Sequence, residues 1–462
     1  MSIKILKMKN NIKIFAGGIL FLFVLAGFGG CKKFLDAPPL NTITKAEALK
    51  DEASVVSVMN GAYQIMNGNV FGGKYQVFSE LLADNIDGTT LNTDFGEIYN
   101  RRTSIFGDYK KNFYLDNYQA NYRANTVLEN LGVVTGRKDD LEGQARFVRA
   151  FAHFVAVRLF AQPYGFTPNN DHLGVPLRLT TEITPGVRAT VKQVYDQIIA
   201  DLKIAEIKLP ENNGGYPTKW AAKALLARVY FSMNDFTNAY AYADQVIKSG
   251  QFIFESDYSK RFSEGQSTEA IFQMINTAGA YDAGGELRTQ FRSDVNLPTL
   301  RFTQALFSSI SSNDARKAWF NNVKYPNLVV TTKYNKERFN VPVLHLTEMK
   351  LIRAESAAES GTNLSVAVQD INDIMNRAYE GTKTIPANSS ASLIKTTVRY
   401  ERSIEMAAEG DRLYEIKRIG AKGENIDKRG SVWNCPGFIL QFPQEELGSN
   451  TSFVRNPEGG CN

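Results

Sequence analysis

The densest run of ionisable residues lies between Arg399 and Arg418, where Glu401, Glu405 and Glu409 recur at every fourth position. That spacing places three carboxylates on one helical face, where they repel one another unless cations stand among them. Arg402 and Arg412 are the neighbours expected to supply those cations. A catalytic reading makes two of the glutamates the acid and base of glycoside cleavage. A structural reading makes them a charge network locking the helix onto its surroundings, and the interleaved arginines favour it. Of the three histidines, His153, His172 and His345, none stands at metal-ligand spacing from another His or Cys. His153, between Phe151 and Phe154, reads as a hydrogen-bonded core residue. Gly-x-Ser-x-Gly, Walker and dinucleotide motifs are all missing from the sequence. The run Gly279–Gly285 lacks the lysine of a phosphate cradle and reads as a flexible loop presenting Tyr281. Neither an enzyme nor a bound cofactor is expected.

The elements that position these residues are helical. Apolar residues at helical spacing run from Val55 to Met66, through Phe78 and Leu82 to Asp84, from Tyr114 to Leu131, and from Phe147 to Leu159. The last two are joined at Thr135 and Gly136, which predicts an antiparallel pair. Asp84 to Arg102 loses its periodicity among Asn, Asp, Gly and Thr, so an exposed loop carrying Phe95 and Tyr99 is expected there. Gln162–Pro176 is expected to be loop, and Thr190 to cap a helix running to Pro210. Lys219–Gly250 is repeat-like: Ala221, Ala224 and Ala227 face Ala239 and Ala243 across a turn at Asn234 and Asp235, and small residues let helix axes approach closely. Leu346–Ala378 repeats the arrangement. The fold expected is dominated by α-helix, an α-solenoid scaffold of tetratricopeptide-like pairs. Gln251–Val343 differs, with short strands expected at 252–254, 270–275, 329–333 and 342–346 among long loops. Such a loop-rich insertion on a rigid scaffold is where binding tends to reside.

The N-terminus decides the compartment. Lys4, Lys7, Lys9 and Lys13 precede an uncharged run from Ile14 to Gly30, the pattern of a secretory signal. Gly29 and Gly30 lead directly into Cys31, which resembles a bacterial lipoprotein box whose cysteine becomes the lipidated first residue. Several acyl chains make such attachment effectively permanent. Removing the four leader lysines from 53 basic residues leaves 49 against 48 acidic ones, which gives no electrostatic case for nucleic acid. In an exported chain the remaining cysteines, Cys435 and Cys461, are expected to pair. The layout expected is a signal peptide (1–30), a lipidated tether (31–44), an N-terminal helical region (45–250) and a C-terminal region with the insertion (251–462).

Several stretches, in order, resemble the SusD/RagB family of outer-membrane lipoproteins from Bacteroidetes. They are the run from Cys31 to Pro39, Arg149–Leu159, Gly174–Leu177, Lys223–Tyr230, Leu346–Glu355, and Glu401-Arg402 through Glu409-Gly-Asp-Arg412 to Lys417-Arg418. The stretch Phe442–Glu446 resembles the family's closing motif. The resemblance implies a cell-surface protein that captures an oligosaccharide, in some branches a peptide, and delivers it to a SusC-like TonB-dependent transporter. An alternative is a protein-interaction scaffold of the same surface complex. By rough position, Asp84, Phe95, Tyr99 and Arg101 form one wall of a ligand surface, and Tyr281 with Arg288 another. Flat rings suit sugar faces, and Asp and Arg suit hydroxyl pairs or peptide termini.

Overall fold

The apolar periodicity becomes a continuous series of packed helices. A computed structural model describes residues 45–461 apart from 92, 103, 266, 277–281, 321–323 and 425. The signal, the tether with Cys31, and Tyr281 lie outside the described residues. The chain divides into two units, 1–50 and 51–462. Of the first, the described part contains one helical turn, α1 (Lys45–Ala48).

In the second unit, α2 (Glu52–Ile65) starts afresh at Asp51, whose carboxylate accepts from the Ser54 N–H while the Ser54 hydroxyl accepts in return. A short π-helical turn (Met66–Val70) leads to α3 (Lys74–Leu82). Next come α4 (Thr93–Tyr99), α5 (Asp108–Glu129) and α6 (Lys138–Phe160). From Phe147 to Phe160 α6 is buried on every side, so it is the central helix rather than a surface one. Helices α7 (Val191–Lys208), α8 (Lys219–Ser232) and α9 (Phe236–Lys248) follow. Packing runs from α5 to α6, α7, α8 and α9 in turn. The expected alanine seam is present: Ala221, Ala224, Ala227, Ala239 and Ala243 are fully buried, and Tyr230 stacks on Tyr242 at 5.7 Å. Thr190 caps α7 in a reciprocal box with Gln193, and Asp235 caps α9.

The insertion springs from a two-stranded stem. β3 (Ala270–Met274) pairs antiparallel with β4 (Val341–His345), from Ala270 opposite His345 to Met274 opposite Val341, with the register shifting on either side of Phe272. Between them lie α10 (Gly285–Phe291), α11 (Gln304–Ser309) and a 3₁₀ turn (Ala315–Phe320). His345 then caps α12 (Leu346–Ser360), which packs on α9, α13 (Leu364–Ala378) and α14 (Ala391–Glu405). The chain closes with α15 (Arg412–Ala421) and α16 (Gln444–Ser449).

Three expectations are corrected. Residues 93–99 form a helix rather than an exposed loop, because Phe95 packs edge-on against Tyr109 at 5.0 Å. Part of 162–176 is β1 (Leu173–Pro176), which pairs with β2 (Arg188–Thr190). Strands at 252–254 and 329–333 are not formed; Val329 makes a single bridge to Phe302. A further hairpin, β5 (Asp427–Lys428) with β6 (Ser431–Val432), had no sequence signal.

Candidate ligand-binding site

Helix α14 ends at Glu405, so Glu409 lies in the turn that follows and not on one helical face with Glu401 and Glu405; the three carboxylates together form a socket that holds the insertion in place. Arg316, fully buried in the 3₁₀ turn, donates to Glu401 Oε2 (2.6 Å) and Glu405 Oε1 (3.2 Å), and also holds Asp314 at 2.7 Å. Arg261 donates to Glu405 (3.1 Å) and pairs with Glu409 at 3.4 Å, and Arg377 reaches Glu405 at 3.2 Å. Lys333 donates to Glu409 and to the Glu405 and Ala407 carbonyls, each at 2.8 Å. The cations therefore come from Arg261, Arg316, Lys333 and Arg377. The expected Arg402 instead pairs with Asp411 (2.7 Å), and Arg412 with Asp84 (2.8 Å) and Glu415 (3.1 Å). Burial by itself raises the pKa of Glu405, but Arg377, Arg261 and Arg316 outweigh it and hold the carboxyl at about 2. Glu409 is lowered in the same way, chiefly by Lys333, whereas burial dominates at Glu401 and raises it. One guanidinium bridges Glu401 and Glu405 where a glycosidic oxygen and water would have to stand. These carboxylates fix loops and do not catalyse. Among the described residues no cluster of His, Cys, Asp or Glu is placed to hold a metal ion.

The first expected wall is built into the fold. Asp84, just past the end of α3, accepts two hydrogen bonds from Arg412 (2.8 and 2.9 Å) and stands 3.3 Å from Lys428. Burial opposes its ionisation, yet Arg412 and then Lys428 bring its pKa to about 2. Phe95 is 5% exposed. Tyr99 is half-buried beneath the Arg429 guanidinium, 4.0 Å from its ring centroid. Arg101 is 2% exposed; it donates to the Leu82 and Ala83 carbonyls (3.1 and 3.2 Å) and lies over Phe438 at 3.8 Å. Burial, then Arg429, lowers its pKa to about 9. The Arg101 carbonyl sits 1.8 Å from where a Cβ on Gly437 would stand and 2.6 Å from one on Gly460. Only glycines admit so close an approach. They flank Cys435 and Cys461, whose Cα atoms lie 5.4 Å apart. The structure thus brings the Arg101 turn and the cysteine-bearing tail together, a proximity no sequence signal announced.

The second wall is nearer solvent. Gly72 accepts from the Glu286 and Leu287 N–H groups (3.1 and 3.3 Å), and Tyr109 donates to Glu286 (3.0 Å), which seats α10 against α5 and the π-turn. Gly73, at φ 141°, lies under Leu287 where a Cβ would meet its nitrogen at 2.5 Å. Arg288 on this helix is ion-paired with Asp282, whose side chain is 59% exposed and also accepts from Asn276 (3.1 Å). The two walls meet at Tyr109, whose ring packs on Phe95 at 5.0 Å and whose hydroxyl donates to Glu286 of α10 at 3.0 Å. Reasoning from sequence missed Asp282, which carries the exposed charge of this wall; its place beside Tyr281 was the available signal.

The comparisons agree with the geometry. Residues 33–231 match a family model described as starch-binding and associating with the outer membrane, and residues 252–457 match the SusD family model. The SusD-like protein P2 of Formosa agariphila is 25% identical, over 96% of this chain and 99% of its own length. A SusD superfamily structure from Bacteroides thetaiotaomicron superposes with a TM-score of 0.76 at 20% identity, covering 88% of this chain and all of that one. A putative sugar binding protein from Bacteroides vulgatus gives 0.77 at 23% identity, covering 88% of this chain and 98% of that one. No helix among the described residues is long and apolar enough to cross a membrane. SusD models match both halves of the chain, the N-terminal one described as starch-binding and associating with the outer membrane, and the chain belongs to the SusD/RagB family.

Proposed function

We propose that the protein is a cell-surface lipoprotein, held by acyl chains on Cys31, that captures an oligosaccharide and passes it to a SusC-like TonB-dependent transporter. The observation that carries this reading is the match of both halves of the chain to SusD models, one of them described as starch-binding and outer-membrane-associated. The build of the molecule supports it. A helical scaffold clamps a loop-bearing insertion through the buried Arg261, Arg316 and Lys333, and Asp282, ion-paired with Arg288 of α10, lies exposed at the surface. The near-neutral mature charge suits an uncharged ligand.

Expression in a Bacteroidetes host tests the assignment. The native chain is expected to incorporate labelled palmitate, to be removed by proteases added to whole cells, and to co-purify from detergent with a β-barrel transporter. Cys31→Ala is expected to abolish the label and release the protein from the membrane fraction. Unlabelled native protein in the periplasm would defeat the reading.

A further inference from the structure

Between β1 and β2 the chain has no regular structure, yet polar side chains of α5 and α6 hold it residue by residue. Asn121 and Asn125 donate to the Arg178 carbonyl (both 2.9 Å), and Asn125 also to that of Thr180 (3.1 Å). Arg149 donates to the Leu179 carbonyl (3.2 Å), His153 accepts from the Arg178 N–H (3.2 Å), and Glu129 accepts from the Thr181 N–H (2.6 Å). Asn121, Asn125, Arg149 and His153 are all buried, so core polar groups are committed to fixing this stretch. What it holds up is Ile183, 94% exposed. A loop fixed in advance meets a ligand at little further entropic cost.

The loop faces α5 across an open groove of about 190 Å³. Leu115, Tyr118 and Tyr122, at i, i+3 and i+7, line the helix side, and Ile183 the loop side. At one end Arg178 and Glu446 of α16 stand 3.7 Å apart, with side chains 30% and 17% exposed. That mixture selects the ligand. A wholly apolar group would strip water from the ion pair and return no hydrogen bond, which is costly. An anion meets two carboxylates, Glu446 and the exposed Glu182 on the rim, against one guanidinium. A cation finds Glu446 balanced by Arg178, and Glu182 standing in water where screening leaves little attraction. A sugar ring offers a C–H face to the exposed Tyr122 ring and hydroxyls to the pair. At 3.7 Å, longer than a hydrogen bond, Arg178 and Glu446 are held by charge, and a hydroxyl can donate to one and accept from the other.

We propose that this groove binds one neutral sugar unit of the captured glycan, with its C–H face on Tyr122 and its hydroxyls on Arg178 and Glu446. The proposal rests on the glycan-capture reading and adds a site apart from the walls that meet at Tyr109, about 20 Å along α5 at 1.5 Å per residue.

The test uses the chain as expressed in a Bacteroidetes host, in detergent micelles, with carbon-13 in the isoleucine δ1-methyl groups. The Ile183 line is assigned by its loss in Ile183→Val. Neutral glucose-, galactose-, mannose- and xylose-based oligosaccharides, an oligogalacturonate and short basic and apolar peptides are titrated while calorimetry follows total binding. The expected result is saturable movement of the Ile183 line by a neutral sugar that also gives heat, and none by the oligogalacturonate. Tyr122→Ala is expected to raise the sugar concentration for half that movement about tenfold. Tyr122→Phe, which keeps the ring, should leave it little changed, and the melting temperature should hold in both. Three outcomes would overturn the groove and leave glycan capture standing: sugar heat with an unmoved Ile183 line, movement that Tyr122→Ala does not weaken, or movement that the oligogalacturonate matches. Absence of heat with every sugar would overturn both, and a line moved only by peptides would place a peptide in the groove instead.

Discussion

Replacing Glu405 by Gln separates a structural role for the glutamate face from a catalytic one. Glu405 accepts from Arg261, Arg316, Arg377 and the Tyr258 hydroxyl, all within 3.2 Å, and is fully buried. Its carboxyl falls from 4.5 to about 2 in the fold, a difference corresponding to ~3 kcal/mol of favourable interaction. The amide keeps the shape but loses the charge, leaving three buried guanidinium groups short of a partner. Breaking such a pair costs about 3–5 kcal/mol. At about 2.1 cal/mol/K per residue, the unit spanning residues 51–462 unfolds with an entropy of ~0.9 kcal/mol/K. The melting temperature should therefore fall by about 3–6 °C, measured by calorimetry at pH 7. The sign with pH follows: a lowered carboxyl stabilises above pH 4.5, and its contribution is lost as pH falls toward 2, so wild type and variant should converge in acid. A variant that melts within 1 °C of wild type at pH 7 would refute the socket.

Three other perturbations probe the remaining clamps. His153 accepts from the Arg178 N–H (3.2 Å), and burial lowers its pKa to about 4; it therefore stabilises above pH 6.5 and loses that contribution between 6.5 and 4, so His153→Gln should flatten denaturation midpoints across that window. Asp84→Asn should cost ~2 kcal/mol, worked from its drop to about 2, and lower the urea midpoint without altering sugar affinity if the first wall is purely structural. We propose that Cys435 and Cys461 form a disulfide in the exported protein; closing a loop of that length stabilises by about 3.5 kcal/mol, so Cys435→Ser should lower the melting temperature by about 4 °C, and intact mass without reductant should be 2 Da lighter than with it.

How far the sequence carried can be argued from particular residues. The α8–α9 and α12–α13 pairs were legible because their alanines recur at helical spacing and their turns hold strong capping residues, Asp235 among them. The short helix at Phe95 was not, since one buried ring among polar residues leaves no periodicity; its partner, Tyr109, belongs to another helix. The glutamate face was legible as a charge network, but its cations were assigned to Arg402 and Arg412 by nearness in the chain. The real ones, Arg261 and Arg316, come from 144 and 89 residues away, and only the folded insertion delivers them. The partners within the expected binding wall were hidden for a related reason: Asp84 and Arg101 look like loop residues available to a ligand, yet both are engaged by partners more than 300 residues further on, Arg412 and Lys428. Local pattern reports which face is buried, and says little about which distant charge arrives to satisfy it.

Calorimetric titration of the Cys31→Ala chain, leader removed, with starch-derived and other neutral oligosaccharides tests the central claim most directly. Saturable heat with at least one of them, undiminished when 0.5 M salt screens charge, is the expected result. A folded protein that gives no heat with any oligosaccharide, yet binds peptides or a partner protein, would contradict the account.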